Sequence, residues 1–233
     1  MSAALRWLPQ GTVYGALLNF RREWDLWAPQ MAQAPYKAAP QAPVLYIKTA
    51  NTFAPCGAAI AVPDEVDVGV TLGLVIGGFE EKLPPALAES AQAATKKEAG
   101  GLHRIAGCVL LNDLSLPHAS YYRPPIKFRN RDGFLGCGPV LQAVPDLSTL
   151  ALELRINGTL AQRIELSTLV RDAATLLRDV SEFTTLQAGD VLMLGTDCLP
   201  DGTRPRAKSG DRIEIRAPGF APLVHTLIEE RAT

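Results

Sequence analysis

An eleven-residue run of almost unbroken apolar and β-branched side chains, Val66 to Ile76, constrains the fold of this chain most. A strand that is apolar on both faces is buried on both faces, so the run predicts a strand inside a packed sheet. A second apolar stretch, His103 to Leu111, predicts another buried strand. The middle of the chain therefore supplies the centre of a sheet-based core.

A hairpin is predicted farther along the chain, where Leu152 and Leu154 alternate with charged residues from Ala151 onward. Asn157 and Gly158 both tolerate positive φ, which is typical of a tight turn between two strands. The partner strand is predicted to run from Leu160 to Leu166. This segment should form a strand pair with one buried face.

Helices are predicted between the strands rather than in regular alternation with them. One should span Ala86 to Glu98, and another should begin at a cap on Ser167 or Thr168 and end near Phe183. Further strands are predicted at Thr12 to Leu18, Val44 to Lys48, Val191 to Leu194, Ile213 to Arg216 and Leu223 to Ile228. The pattern favours a strand-dominated α+β fold over a doubly wound parallel sheet. Prolines before residue 44 suggest an N-terminal strand/helix arm at residues 1–43 and one structural unit at residues 44–233.

The charge balance bounds the possible partners. The 23 basic and 24 acidic residues give no global field for nucleic acid or a membrane surface, so any anion recognition must be local. The four cysteines form no CxxC pair, which indicates free thiols rather than a zinc or redox motif. No signal-peptide pattern and no run of about 18 apolar residues is present, so we expect a soluble cytoplasmic protein.

The stretch from Leu111 to Pro139 concentrates charge, aromatic rings, prolines and glycines. Asp113 follows an apolar run, where a strand is expected to emerge into solvent, and a carboxylate there can ligate a metal. Four cations within nine residues could hold a di- or tricarboxylate, because guanidinium groups pair with carboxylates in bidentate fashion; they are Arg123, Lys127, Arg129 and Arg131. The alternative is a solvated polar loop. His118 is a candidate base because it lies close to the cationic loop and titrates near neutrality, although a lone histidine in a loop is more often a polar surface residue.

Several motifs together resemble one enzyme family. They are VDVGVTLGLVIG at 66–77, LNDLSL at 111–116, RDGF at 131–134, TLQAGDVLMLGTD at 185–197 and the closing Gly210-Asp211 strand. Their order and spacing resemble the fumarylacetoacetate hydrolase family over roughly residues 12 to 228. The runs PYKAAP at 35–40 and YYRPPIKFRNRDG at 121–133 are more narrowly similar to the N-terminal half of the family's isomerase/decarboxylases of 4-hydroxyphenylacetate (homoprotocatechuate) degradation.

The resemblance implies a mixed β-sandwich roll with flanking helices and a divalent cation, Mg or Mn, that chelates a 2-oxo or enol carboxylate. A cation so placed withdraws electrons from the carbonyl and stabilises a dienolate. The implied reactions are decarboxylation of 5-oxopent-3-ene-1,2,5-tricarboxylate, isomerisation of 2-hydroxyhepta-2,4-diene-1,7-dioate, or both. The implied partners are a small-molecule polycarboxylate substrate and a second subunit, in a homodimer or in a hetero-assembly with a sister family subunit.

The chain departs from the family pattern at the metal site. The Glu-x-Glu pair of the family falls on Gly69 and Thr71, so Asp113 is the remaining ligand. Hard cations commonly take more than one carboxylate, which makes a lone Asp a poor site. Asp67, two residues upstream, could enter the register only through a bulge.

The family's other functional positions are partly kept. The resemblance implies catalytic roles for Glu23 and Lys127, with Leu26 where the partner of Glu23 would stand. His118 joins them as a catalytic candidate on its own chemistry. The implied substrate-binding residues are Arg123, Lys127, Arg129 and Thr196, with Lys127 and Arg129 on the same side of an extended chain.

Two classes of function remain open. The chain is either an active isomerase/decarboxylase subunit or a non-catalytic partner that lost its metal ligands and packs against a competent half. A third alternative within the superfamily is another 2-oxo acid decarboxylase or an acylpyruvate-type hydrolase.

Overall fold

The computed structural model describes residues 7–77, 105–118, 126–138 and 144–230. The α-helices in these ranges are α1 (Arg21–Met31), α2 (Ile126–Arg129) and α3 (Ala173–Ser181). Short 3₁₀ helices span Ala50–Thr52 and Leu166–Thr168. The strands are β1 (Val13–Leu17), β2 (Val44–Lys48), β3 (Phe53–Pro55), β4 (Ala59–Val62), β5 (Val66–Ile76), β6 (Ile105–Ser115), β7 (Leu135–Cys137), β8 (Ala151–Ile156), β9 (Thr159–Glu165), β10 (Val191–Met193), β11 (Arg206–Ala207), β12 (Arg212–Arg216) and β13 (Leu223–Glu229).

In the described part of the chain, the strands form two mixed sheets. The larger has the order β2-β1-β10-β5-β6-β7-β3, with β11 on β5, and the smaller has the order β4-β13-β12-β8-β9. β1 pairs with β10 in parallel and with β2 antiparallel, so the predicted N-terminal arm contributes a strand to the larger sheet. The strand-dominated α+β prediction is confirmed.

Apolar side chains fill the space between the two sheets. Alternate residues of β5 and β6 point to this core, where they meet leucines and isoleucines from β8, β12 and β13. The opposite face of the larger sheet carries a second, smaller cluster that includes Val109, Leu111 and Met193. Both faces of β5 and β6 are therefore buried, as their apolar sequences predict.

The larger sheet curls, because its two edge strands are neighbours in the chain. Only the 3₁₀ turn at Ala50–Thr52 separates β2 from β3. As a result Lys48, at the end of β2, lies next to the far edge of the same sheet. Its ammonium donates to the carbonyl oxygens of Leu114 at 3.2 Å and Phe134 at 2.8 Å. The curl thus brings together residues that are more than sixty positions apart.

The strand predictions are correct in the main, with one error that matters for function. β5 has the predicted bounds, whereas β6 runs to Ser115, beyond the predicted end at Leu111. Asp113 pairs with Gly69 on one side and with Leu135 on the other, and it is 2% exposed. The expectation that Asp113 emerges into solvent is therefore wrong, because β7 extends the sheet over the end of β6.

The predicted hairpin turn is correct, whereas the predicted helix cap is not. Asn157 and Gly158 both have positive φ, 52° and 83°, between β8 and β9, so the predicted hairpin is confirmed. The predicted helix cap is wrong: Ser167 and Thr168 lie in a 3₁₀ helix, and α3 begins after Asp172, whose carboxylate accepts from the Thr175 amide at 2.8 Å. The predicted helix at 86–98 lies outside the described residues.

His225 in β13 gives the fold a sensitivity to acid. The ring is 1% exposed, and the Pro55 carbonyl lies 3.1 Å from its Nε2 atom. A Cβ added to Gly136 would lie 2.3 Å from the ring, so the imidazole fills the space over that glycine. Burial lowers the pKa of His225 to about 4, and the histidine is therefore held neutral in the folded protein.

We expect the protein to lose stability as the pH falls from about 6.5 to about 4. In this range His225 binds a proton in the unfolded chain but stays neutral in the folded protein. The full loss from this group is roughly 3 kcal/mol, at about 1.4 kcal/mol per pKa unit. Urea denaturation of wild type and His225→Gln across this range measures it. The variant should show a shallower pH dependence of the unfolding free energy, and equal slopes would contradict the assignment.

Candidate functional site

The candidate site lies on the second face of the larger sheet, where β5 and β6 pair. Gly69 stands opposite Asp113 and Thr71 opposite Leu111. The register is continuous from Asp67 to Val75, and the irregularity in this pair comes only after Val75. Asp67 therefore stays opposite Ser115, and the idea that a bulge shifts it into the position of Gly69 is wrong.

Asp113 is neutralised from within the protein. Its Oδ1 atom lies 2.9 Å from the Lys48 ammonium and its Oδ2 atom lies 3.0 Å from Arg129 Nη1. The Tyr46 hydroxyl donates to Oδ2 as well, and the Arg129 guanidinium lies over the Tyr46 ring at 4.5 Å. Burial alone would raise the pKa of Asp113, but the two cations and the tyrosine hold it below its usual value.

Gly69 is packed too tightly to carry a side chain. A Cβ at this position would lie 2.8 Å from the Asp113 carbonyl oxygen and 2.8 Å from Thr196 Cγ2. Real Cβ contacts are longer than this, and the oxygen belongs to the backbone. The space that the family's glutamate side chain would need is therefore occupied. The Asp113 carbonyl oxygen and the Thr196 methyl group both border the Cβ position of Gly69.

A second internal ion pair adjoins Thr196. The Arg204 guanidinium donates to the Thr196 hydroxyl and, at 2.7 Å, to Glu23 Oε1. Glu23 is 3% exposed and also accepts from the Leu18 amide at 3.2 Å. Two predicted functional residues, Glu23 and Thr196, are thus brought together by an arginine that the sequence analysis did not identify.

His118 lies at the edge of this region. Its ring stacks on Phe128 with centroids 5.7 Å apart, and its Nδ1 atom lies 2.9 Å from the Leu116 carbonyl oxygen and 3.2 Å from the Ser115 hydroxyl. Burial lowers the pKa of His118 and the Leu116 carbonyl raises it, while nearby Arg129 lowers it again. The net shift is downward, so the ring is largely neutral near pH 7. Its role as a base stays a prediction.

The predicted basic loop is divided by the structure. Residues 126–129 form α2 rather than an extended chain, and two positions on a helix point about 200° apart. Lys127 is consequently exposed while Arg129 is 3% exposed and paired with Asp113, so the expectation that they share one side is wrong. Arg131 pairs with Glu230 at 2.6 Å, and Arg123 lies outside the described residues.

The residues do not fit the divalent cation that the resemblance implies. Asp113 already carries one cation at each carboxylate oxygen, and Gly69 and Thr71 offer no carboxylate. In the described ranges, no cluster of three or more His, Cys, Asp or Glu side chains is arranged to hold a metal ion. The functional groups around Asp113 are therefore the Lys48 ammonium, the Arg129 guanidinium and the Tyr46 hydroxyl.

Sequence reasoning missed Tyr46, Lys48 and Arg204. Tyr46 and Lys48 alternate on β2, and their period-2 spacing could have marked them as sharing the inward face. A lysine at the end of a strand ordinarily reaches solvent, so that signal was weak. Arg204 lies in a turn-rich loop after β10, where no pattern points to burial.

We expect Gly69→Ala to destabilise the protein by about 1–3 kcal/mol, the usual cost of overpacking. Thr196→Ser removes the methyl group that the new Cβ would meet, so the double variant Gly69→Ala/Thr196→Ser should recover part of the loss. A double-mutant cycle by urea denaturation checks this, since contacting residues are non-additive. Strict additivity would show that the two side chains do not compete for the same space.

Comparison with known proteins identifies the family of this chain. A family model described as fumarylacetoacetate (FAA) hydrolase C-terminal matches residues 12–228. A 4-hydroxyphenylacetate degradation bifunctional isomerase/decarboxylase of Escherichia coli is 37% identical over 225 residues, which are 95% of this chain and 48% of that protein. This chain therefore spans about half the length of that relative.

Solved structures share the fold. A 5-carboxymethyl-2-hydroxymuconate delta-isomerase from Mycobacterium smegmatis superposes with a TM-score of 0.67 at 23% identity, over 97% of this chain and 79% of that one. A maleylpyruvate hydrolase from Sphingobium, in complex with manganese(II) ion and pyruvate, has a TM-score of 0.65 at 18% identity, over 96% and 72%. No helix in the described ranges is long and apolar enough to span a membrane.

Proposed function

Because the chain belongs to the fumarylacetoacetate hydrolase family, we propose that it works as a subunit of an isomerase/decarboxylase of 4-hydroxyphenylacetate (homoprotocatechuate) degradation. The proposed substrates are 5-oxopent-3-ene-1,2,5-tricarboxylate for decarboxylation and 2-hydroxyhepta-2,4-diene-1,7-dioate for isomerisation. The match to the E. coli enzyme, 37% identity over 95% of this chain, supports this system.

The division of labour follows from one observation. The Asp113 carboxylate is held by Lys48 at 2.9 Å and by Arg129 at 3.0 Å, opposite a glycine that has no room for a side chain. This arrangement supports assigning any metal-dependent step to a sister chain or half that keeps the Glu pair. We propose that this chain packs against a second subunit, in a homodimer or in a hetero-assembly with a sister family subunit.

A second candidate is activity at this chain's own site. Glu23, Arg204 and Thr196 form a buried, hydrogen-bonded cluster, which favours it. Here Glu23 and His118 would move protons, and Lys127 and Arg123 would bind the distal carboxylates of a polycarboxylate. Arg129 is less suited to that role, because an internal carboxylate already occupies it.

Mixing this chain with a sister chain that retains the Glu pair tests the proposal. We expect a complex on size-exclusion chromatography, and we expect the sister's decarboxylase or isomerase activity to rise when this chain is added. Turnover by this chain alone, abolished by Glu23→Gln, would favour the second candidate instead. Absence of both a complex and any change in the sister's activity would contradict the partner role.

A further inference from the structure

The ammonium of Lys48 lies in a cage of oxygen atoms. It is an ion pair with Asp113 Oδ1 at 2.9 Å, and it donates to the carbonyl oxygens of Arg129 at 2.5 Å, Phe134 at 2.8 Å and Leu114 at 3.2 Å. The side chain is 0% exposed. One carboxylate and three carbonyls are the kind of oxygen ligands that hard cations take in proteins. The lysine thus supplies a cation to a site built from oxygen atoms.

The cage connects the walls of the candidate site. Leu114 is near the end of β6, Arg129 closes α2, and Phe134 precedes β7, while Lys48 itself ends β2. Leu114, Arg129 and Phe134 each contribute a backbone carbonyl to the Lys48 ammonium. The positive charge therefore fixes the geometry around Asp113, which is a task that a bound cation performs in a metal centre.

The charges around Asp113 disfavour the binding of a further cation. One carboxylate, Asp113, already faces two cations, Lys48 and Arg129, so the group as a whole is positive. A divalent ion would be repelled by both cations, and screening by water is small in a buried site. Gly69 cannot add a carboxylate, because its Cβ position is already crowded.

We propose that the Lys48 ammonium takes the place of a divalent cation beside Asp113, so that this centre carries a built-in positive charge and is independent of metal. The inference goes beyond the proposed function, since it concerns this chain alone. It would hold even if the chain served a different reaction, and the assembly experiment above does not decide it.

The first test measures metal dependence on the full-length chain. After dialysis against EDTA, the thermal unfolding midpoint is compared without and with millimolar Mn²⁺ or Mg²⁺. We expect no change. An ion present at 100 times its dissociation constant would raise the midpoint by roughly 5–10 °C for a chain of this size. A saturable rise of that order, lost in Asp113→Asn, would overturn the proposal.

The second test is chemical rescue of Lys48→Ala. Added propylammonium should restore part of the lost unfolding midpoint, because it returns an ammonium to the vacated cage. Propanol at the same concentration is the control for filling space without charge. Equal rescue by propanol would show that Lys48 acts by packing, and would overturn the proposal.

A second variant covers the case in which Lys48→Ala does not fold. Lys48→Met keeps an unbranched apolar stem in place of the lysine stem and lacks the charge. We expect its unfolding midpoint to fall well below that of wild type, and to stay unresponsive to propanol. A Lys48→Met protein as stable as wild type would show that the caged charge is dispensable, which contradicts the inference.

Discussion

Asp113→Asn is expected to lower the free energy of unfolding by about 3–5 kcal/mol, because it leaves two buried cations without their counter-charge. Lys48 and Arg129 have side chains that are 0% and 4% exposed, so water cannot replace the lost carboxylate. Urea denaturation at neutral pH measures the loss. The asparagine keeps the shape of the side chain, so the effect reports charge rather than a cavity.

The same substitution should change the acid limb of the stability profile. The pKa of Asp113 is lowered in the folded protein, mainly because Lys48 and Arg129 outweigh the effect of burial. Its contribution is therefore complete above the unfolded value of about 4 and is lost as the pH falls through the folded pKa. The unfolding free energies of wild type and Asp113→Asn should converge at low pH and separate toward neutral pH.

Two comparisons make the result specific. Asp64→Asn alters an exposed aspartate and should change stability by less than about 0.5 kcal/mol. The triple variant Lys48→Met/Arg129→Met/Asp113→Leu removes every charge of the group and should cost less than Asp113→Asn, since apolar replacement of a whole buried ion network is often neutral. An Asp113→Asn protein within about 1 kcal/mol of wild type would show that the network is not stabilising.

The sequence predicts well those parts of the fold that depend on local pattern. The bounds of β5 are predicted to the residue, because an eleven-residue run dominated by Val, Leu and Ile allows few alternatives. The Asn157-Gly158 hairpin is predicted because both residues tolerate positive φ. The end of β6 is not predicted, because it depends on non-local pairing: Leu114 and Ser115 pair with Val68 and Asp67 of β5, and Asp113 pairs with Leu135 of β7, twenty-two residues farther along the chain. The composition of the residues near the end of β6 does not predict these strand pairings.

The site was predictable only in part for the same reason. Family motifs identified Asp113, Glu23 and Thr196, and the structure places them close to one another. Their partners Lys48 and Arg204 come from distant segments. The Lys48–Asp113 pair follows from the curl of the larger sheet, and the Arg204–Glu23 pair joins α1 to the loop after β10. The sequence shows that the Glu pair is absent. That the Lys48 ammonium lies beside Asp113 can be seen only once the fold is known.

Both internal carboxylates of the site are neutralised by basic residues. Asp113 is balanced by Lys48 and Arg129, and Glu23 by Arg204. A centre that satisfies its own carboxylates has little affinity left for a hard cation, but it keeps its shape without one. This arrangement suits the proposed role of a half that packs against a competent partner.

Arg204→Met is expected to destabilise the protein by about 3 kcal/mol, since it removes the guanidinium that pairs with buried Glu23 at 2.7 Å. The two side chains are 9% and 3% exposed, so their interaction is poorly screened. A double-mutant cycle with Glu23→Gln should give a coupling energy of about 1–3 kcal/mol. Chemical denaturation of the four proteins measures it.

The pair Arg163 and Glu165 is the matched control for this cycle. Its ion pair has the same separation, 2.7 Å, but its side chains are 55% and 44% exposed. Solvent screening and side-chain entropy should reduce its coupling energy to below about 1 kcal/mol. If the buried pair couples no more strongly than this surface pair, burial does not strengthen the Glu23–Arg204 ion pair, and the loss on Arg204→Met has to come from packing or from other partners of Arg204.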